Sequence, residues 1–233
     1  MTKNEKNKRM EKKYKLTDET IEVKGKTLYR IEALKDFGEI KKGDKGGFIE
    51  SENNLEHEGD AWVSDDACVY DNARVSGYAQ VCDNARVFGD AWLYDSTRVY
   101  GNVRVFGNAR VCANARVSGN AHVYGEALVY GSACVCGNAC VCGSTNVCGD
   151  AEISTDADYI VFKNWWSSGR YFTWTRSNNM WSVGCFYGTG EELVKKAYKD
   201  SSKSGRQYER IVKYVEETLK EEENGEQEVQ VNR

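Results

Sequence analysis

Residues 59–154 read GDAWVS DDACVY DNARVS GYAQVC DNARVF GDAWLY DSTRVY GNVRVF GNARVC ANARVS GNAHVY GEALVY GSACVC GNACVC GSTNVC GDAEIS, one six-residue phrase written sixteen times without insertion or deletion. A fixed short period is the signature of a solenoid. The third place of each hexad is small, usually Ala (Ala61, Ala67, Ala73), and the fifth is aliphatic, usually Val (Val63, Val69, Val75). In an extended chain these two places point one way while the fourth and sixth point the other. The small residue and the Val therefore face a core, and the varied residues face out. Gly or Asp in first place, followed by Asn, Asp or Ser, is corner chemistry, because these residues tolerate positive φ. A short strand and a sharp corner recur every six residues.

This pattern resembles the hexapeptide-repeat proteins, and the resemblance implies a left-handed parallel β-helix of triangular section with three hexads per coil. On that reading the block is a little over five coils, about 25 Å long at ~4.8 Å between paired strands. Residues eighteen apart would stack on neighbouring coils. The fold class expected is mainly β: a left-handed parallel β-helix of about five coils, with an N-terminal β cap and a small C-terminal α+β module. The resemblance also implies a homo-oligomer, a trimer by analogy.

The flanks divide by composition. Residues 1–13 (MTKNEKNKRMEKK) are polar and basic, as in a disordered arm. Residues 14–58 hold a hairpin signature around Lys24-Gly25 and then GDKGGFIESENNLEHEGDAWV, which leads into the first hexad and is expected to cap it. That lead-in is similar to a group of poorly characterised bacterial and prophage hexapeptide proteins, several carrying a transferase label inherited from the fold. Residues 155–222 read as an α+β module of three strands, at residues 159–162, 170–176 and 180–187, and two helices. The first helix is opened by the capping box Thr189…Glu192 with Leu193, Val194 and Ala197 inward. The second carries Tyr208, Ile211, Val212, Val215 and Leu219 on one stripe. The module is similar to tail modules behind repeat segments in phage and prophage proteins. Residues 223–233 read as an acidic, disordered tail.

The chain of 233 residues has no proline, nine cysteines, two histidines and a formal charge of −4. Absence of proline suits unbroken ladders. No apolar run is long enough to span a bilayer and the lysine-rich start lacks the core of a signal peptide, so a cytoplasmic protein without membrane contact is expected. Every cysteine of the block falls in place four or six and no two are eighteen apart, which argues for free surface thiols over a disulfide framework or a metal site.

Hexapeptide acyltransferases, the best-known members of the resembled superfamily, use a histidine at a subunit seam as general base with acyl-coenzyme A in the groove. Only His122 falls within the hexads here; its column neighbours, Arg104 and Cys140, supply no carboxylate to orient it, so catalysis is disfavoured. Tyr70, Phe88, Phe106 and Tyr124 are eighteen apart and predict an aromatic ladder, either packing the coils or forming an oligomer stripe. Arg74, Arg86, Arg98, Arg104, Arg110 and Arg116 all occupy place four. The carboxylates of the same block predict that they are charge-paired and weigh against nucleic acid.

The strongest recognition candidates are Trp165, Trp166, Arg170, Tyr171, Trp174, Arg176 and Trp181, residue types that dominate binding hot spots. Alternation requires some of them to be core. The function expected is therefore a non-catalytic binding or scaffold protein, without cofactor, that holds a host or phage protein or a small nucleotide. An acyltransferase-like enzyme and a self-assembling structural protein are the alternatives, and the prophage resemblance implies a host-interaction or anti-defence setting.

Overall fold

The computed structural model describes residues 11–166 and 169–231; for residue 223 and residues 225–231 it describes the backbone alone. Each hexad forms one two-residue strand on its fourth and fifth places, from β4 (Trp62–Val63) to β19 (Glu152–Ile153). Strands pair in parallel with partners eighteen residues on, as in Arg104↔His122 and Val111↔Val129. Three sheets result, because every third hexad returns to the same face. Consecutive coils are joined through backbone bonds such as Arg104 N to Ala121 O at 3.0 Å and Phe106 N to Val123 O at 3.0 Å.

The inward places form one continuous core. Ala109, Val111, Ala115 and Val117 are typical, each at 0% exposure. Thr97 and Thr145 stand in the third place, and each turns its hydroxyl back to a carbonyl, that of Tyr94 or Cys142. A buried hydroxyl is thus satisfied without interrupting the stack.

The corners explain the preference for Asp in first place. Asp65, Asp71, Asp83 and Asp95 adopt positive φ of 54° to 59°. Their carboxylates accept the N–H eighteen residues on: Asp83, Gly89, Gly101 and Ala113 respectively, at 2.8–3.1 Å. Ala113 itself sits at φ 60°, the left-handed region that costs an L-residue about 1–2 kcal/mol. Ala113→Gly is therefore expected to stabilise the protein by about 1 kcal/mol in thermal or denaturant unfolding, after allowing for the freer unfolded chain.

At the N-terminal end, β1 (Tyr14–Val23) and β2 (Lys26–Ala33) form the expected hairpin, with Lys24 at φ 50° and Gly25 at φ 77° in its turn. β3 (Lys45–Ile49) pairs antiparallel with β2 and parallel with the Cys68–Val69 strand, so the cap merges into one face of the coil. Gly46 is obligatory here: a Cβ would lie 2.5 Å from both Ile31 Cγ1 and Val63 O. The expectation of a basic arm over residues 1–13 needs correction at its end, because Lys13 is 1% exposed. Lys12 and Glu11 before it are exposed and pair with Glu52 and Lys35, and residues 1–10 lie outside the described residues.

The chain divides into two compact units at Asn178 rather than at the last hexad. Residues 155–178 belong with the coils, and β20 (Tyr159–Lys163) and β21 (Tyr171–Thr175) pair antiparallel there. The second unit begins with β22 (Met180–Val183) and β23 (Phe186–Gly188), antiparallel. The single strand expected over residues 180–187 is therefore two, broken at Gly184 with φ 60°. Helix α1 (Gly190–Asp200) has the predicted capping box, Thr189 Oγ1 accepting from Glu192 N and Glu192 Oε2 from Thr189 N, with Leu193 and Ala197 buried. Helix α2 (Ser202–Val231) buries Val212 and Val215 and runs on through residues 223–231, where a disordered acidic tail was expected. No helix of the described residues is long and apolar enough to cross a membrane.

Candidate functional site

A coil of parallel strands leaves a row of unpaired backbone groups at each end; here β3, Glu56 N and side chains together close the first row, and side chains meet the last. At the first coil the groups left over are carbonyls. Lys13 Nζ donates to Ala61 O at 2.8 Å, Gly59 O at 3.2 Å and Glu58 O at 3.4 Å. The Tyr14 hydroxyl donates to Leu55 O at 2.7 Å, and Asn54 Nδ2 donates to Ala73 O and Asp71 O. Burial lowers the Lys13 ammonium to about 8, with Asp60 opposing the shift. His57 stacks on Tyr14 at 4.3 Å and its Nδ1 accepts from Lys13 N, so it is a packing residue of this end.

At the last coil the groups left over include one strand N–H on each face, and each meets a side-chain oxygen. Asp156 Oδ1 accepts from Cys140 N at 2.7 Å, Thr173 Oγ1 from Asn146 N at 3.0 Å, and Ser177 Oγ from Glu152 N at 2.7 Å. The Tyr159 hydroxyl donates to the Cys140 carbonyl at 2.7 Å. Burial raises the Tyr159 hydroxyl to about 12, so it remains a donor.

This second seal explains the tryptophan segment. Phe172, Thr173, Trp174 and Thr175 are all buried although alternate residues point oppositely. Thr173 faces the coil, and Phe172 and Trp174 lie on the strand's other face. Trp174 and Trp181, expected as binding residues, are each 2% exposed and belong to the packed interior. Trp165 is 84% exposed, Trp166 and Tyr171 are half-buried, and Arg170 and Arg176 are exposed. The recognition candidates thus shrink to a group led by Trp165 and Arg170.

The aromatic ladder forms as predicted. Tyr70–Phe88, Phe88–Phe106 and Phe106–Tyr124 are parallel stacks with centroids 5.1, 4.9 and 4.8 Å apart. Its lower end is covered by the chain itself. Tyr70 is 1% exposed among Val23, Leu28, Phe48 and Cys68, and Lys24 Nζ sits 4.6 Å over Phe88. Tyr70 is therefore unavailable to a partner, which corrects its place in an oligomer stripe and leaves Phe106 and Tyr124. The Tyr124 hydroxyl meets both the Cys140 and Cys142 thiols, and these contacts push its ionisation up.

All nine cysteines are free, but Cys68, Cys112 and Cys148 are buried, a correction to their reading as surface thiols. Asp65, Cys82 and Asp83 bring three potential ligand atoms within 4.8 Å of one another. Burial, with both carboxylates reinforcing it, raises the Cys82 thiol to about 11, and Asp65 already serves the Asp83 N–H.

His122 lies in register between Arg104 and Cys140, and among the described residues its ring has no hydrogen-bond partner. The six arginines depart furthest from expectation. Arg74, Arg86, Arg98, Arg104, Arg110 and Arg116 are all exposed, and among the described residues none forms an ion pair or a side-chain hydrogen bond. The corner carboxylates that should have paired with them are already engaged by backbone N–H groups. An open groove of about 1000 Å³ runs beside Arg74, Trp92 and Arg110; of its four carboxylates, Glu50 and Asp71 are held by Lys26, Asp90 accepts from Asn72 Nδ2 and Glu56 from Gly77 N.

A family model described as the YdcK beta solenoid repeat matches residues 79–95, 98–113 and 109–125. No curated protein matches the chain. With the parallel three-sheet coil, this similarity makes the chain a β-solenoid repeat protein.

Proposed function

We propose that this chain is a non-catalytic binding protein in which a rigid solenoid presents its flanks to a partner. The left-handed sense and a little over five coils, which the hexapeptide resemblance implies, belong to this reading. The observation that carries it is that the N-terminal cap and side chains occupy both coil ends, where a filament subunit needs open ones. The bare surroundings of His122 support the same reading over an acyltransferase, because no group holds its ring as a base. The prophage-like wording of residues 43–63 favours a host protein as the partner, in a host-interaction or anti-defence role. A closed oligomer of the trimer kind is compatible with sealed ends, since it uses flanks.

Native mass measurement on protein purified from its host tests this directly. A stoichiometric additional mass is expected. Deleting residues 179–233 while keeping the seal through Asn178 asks whether the second unit holds that partner. A bare chain or bare homo-oligomer, with acetyl-coenzyme A binding that is lost in His122→Ala, would replace this reading with the enzyme.

A further inference from the structure

We infer that the middle coils form a belt that binds single-stranded nucleic acid through its phosphates. Residues 96–125 contain no Asp, Glu or Lys, yet hold Arg98, Arg104, Arg110 and Arg116 with His122. The chain's net charge of −4 hides this, because the carboxylates of the block lie before and after the segment. All four guanidinium groups are exposed and none is paired among the described residues.

Their placement is costly for the fold. Arg98 stacks in register on Arg116, and Arg104 on Arg86, across ladders whose strands are ~4.8 Å apart. Like charges directly opposite one another destabilise a sheet. Surface packing gives no return for this, since no carboxylate is interposed, so the pattern answers to an external anion.

The geometry selects the kind of anion. Successive arginines fall on successive hexads, hence on successive faces, so the four go around the prism rather than along one side. A rigid duplex or a folded acidic protein meets one face; a flexible polyanion follows the corners. The corner between the Arg98/Arg116 face and the Arg104 face is amide-rich, Asn102 donating to Asn120 at 3.1 Å and Asn120 to Asn138 at 3.0 Å, and the one carboxylate at its lower edge, Asp83, is engaged by Gly101 N. An outward aromatic residue stands two places after an arginine there: Tyr100, 39% exposed, follows Arg98. Guanidinium forks for phosphate beside a ring for a base are the components of single-strand binding.

This inference rests on the binding-protein reading and adds a second ligand class to the host protein proposed there. Its test uses purified full-length protein with no host factor, so its failure would leave the host-partner measurement standing. Anisotropy of a labelled 20-nucleotide oligothymidylate is titrated from 20 to 200 mM salt. Binding is expected with a log–log salt slope of about −2 to −3, near 0.7 per neutralised phosphate over four arginines. Arg98→Gln/Arg104→Gln/Arg110→Gln/Arg116→Gln is expected to weaken binding at least tenfold at the lowest salt, whereas Lys41→Gln/Lys42→Gln is expected to leave it unchanged. Relief of the Arg98–Arg116 repulsion should keep the melting temperature of Arg116→Gln at or above wild type in low salt, so weaker binding there is not unfolding. No binding at 20 mM salt, binding indifferent to the four substitutions, or tighter binding of a 20-base-pair duplex or of polyglutamate would overturn the proposal.

Discussion

The variant Asp156→Ala/Thr173→Val/Ser177→Ala is expected to lose about 3 kcal/mol of unfolding free energy, roughly 1 kcal/mol for each hydrogen bond removed from the last coil. The three acceptors lie one to a face, on Cys140 N, Asn146 N and Glu152 N. Their substitutions share no partner, so their costs should add. Thr173→Val should be the most damaging of the three, since Thr173 is 1% exposed and water cannot replace it readily. Chemical denaturation gives the sum, and amide exchange gives the location. Faster exchange confined to the amides of residues 140, 146 and 152 is expected, against little change in the middle coils. Equal loss of protection throughout would mean that these residues hold the fold by some other route.

Lys13→Met is the second large effect, with an expected cost of about 2 kcal/mol at pH 7, because three carbonyls at the first coil lose a charged donor. The same lysine gives the protein a pH signature. Burial lowers its folded value to about 8 from an unfolded value of 10.5. Between those values the unfolded chain binds the extra proton, so this group's contribution to stability rises with pH. The desolvation cost of the ammonium is fully present below about pH 8 and gone above about 10.5. Wild-type stability relative to Lys13→Met should therefore increase from pH 8 to 10. The difference between the two proteins is the quantity to follow, because thiols and tyrosines raised by burial titrate nearby. A difference that is flat or falls over that range would show that Lys13 is not held as a buried ammonium.

The hexads made most of the solenoid readable in advance. Inward Ala and Val and corners at first and second place follow from a period of six and strand alternation, while stacking at eighteen residues and the Tyr70–Tyr124 ladder follow from the three hexads per coil that the hexapeptide resemblance implies. The capping box at Thr189 was equally legible. What failed to show was anything without a pattern. Lys13 is one lysine in a basic run, and nothing in MEKKYK distinguishes the one whose ammonium reaches Ala61 O. Trp174 and Trp181 have the composition of a binding surface, and only the packing shows them buried. The break at Gly184 and the continuation of α2 past residue 222 depend on local geometry that a glycine and a run of glutamates leave open. The arginines misled for a different reason. Summing charge over the whole block predicted pairing, while Asp65, Asp71, Asp83 and Asp95 were already engaged by the N–H groups of the next coil. A charge profile along the chain, with its gap over residues 96–125, carried the signal that the total erased.

On the proposed reading the cap and the end side chains terminate this solenoid, and it acts through its flanks. Sedimentation velocity over a hundredfold range of concentration, on wild type and on Asp156→Ala/Thr173→Val/Ser177→Ala, tests it most directly. Wild type should reach a fixed sedimentation coefficient, as a monomer or a closed oligomer, while the opened variant continues to grow with concentration as exposed strand edges meet. Unlimited growth of the wild type, or an opened variant that sediments as the wild type does, would show that these side chains do not terminate the coil.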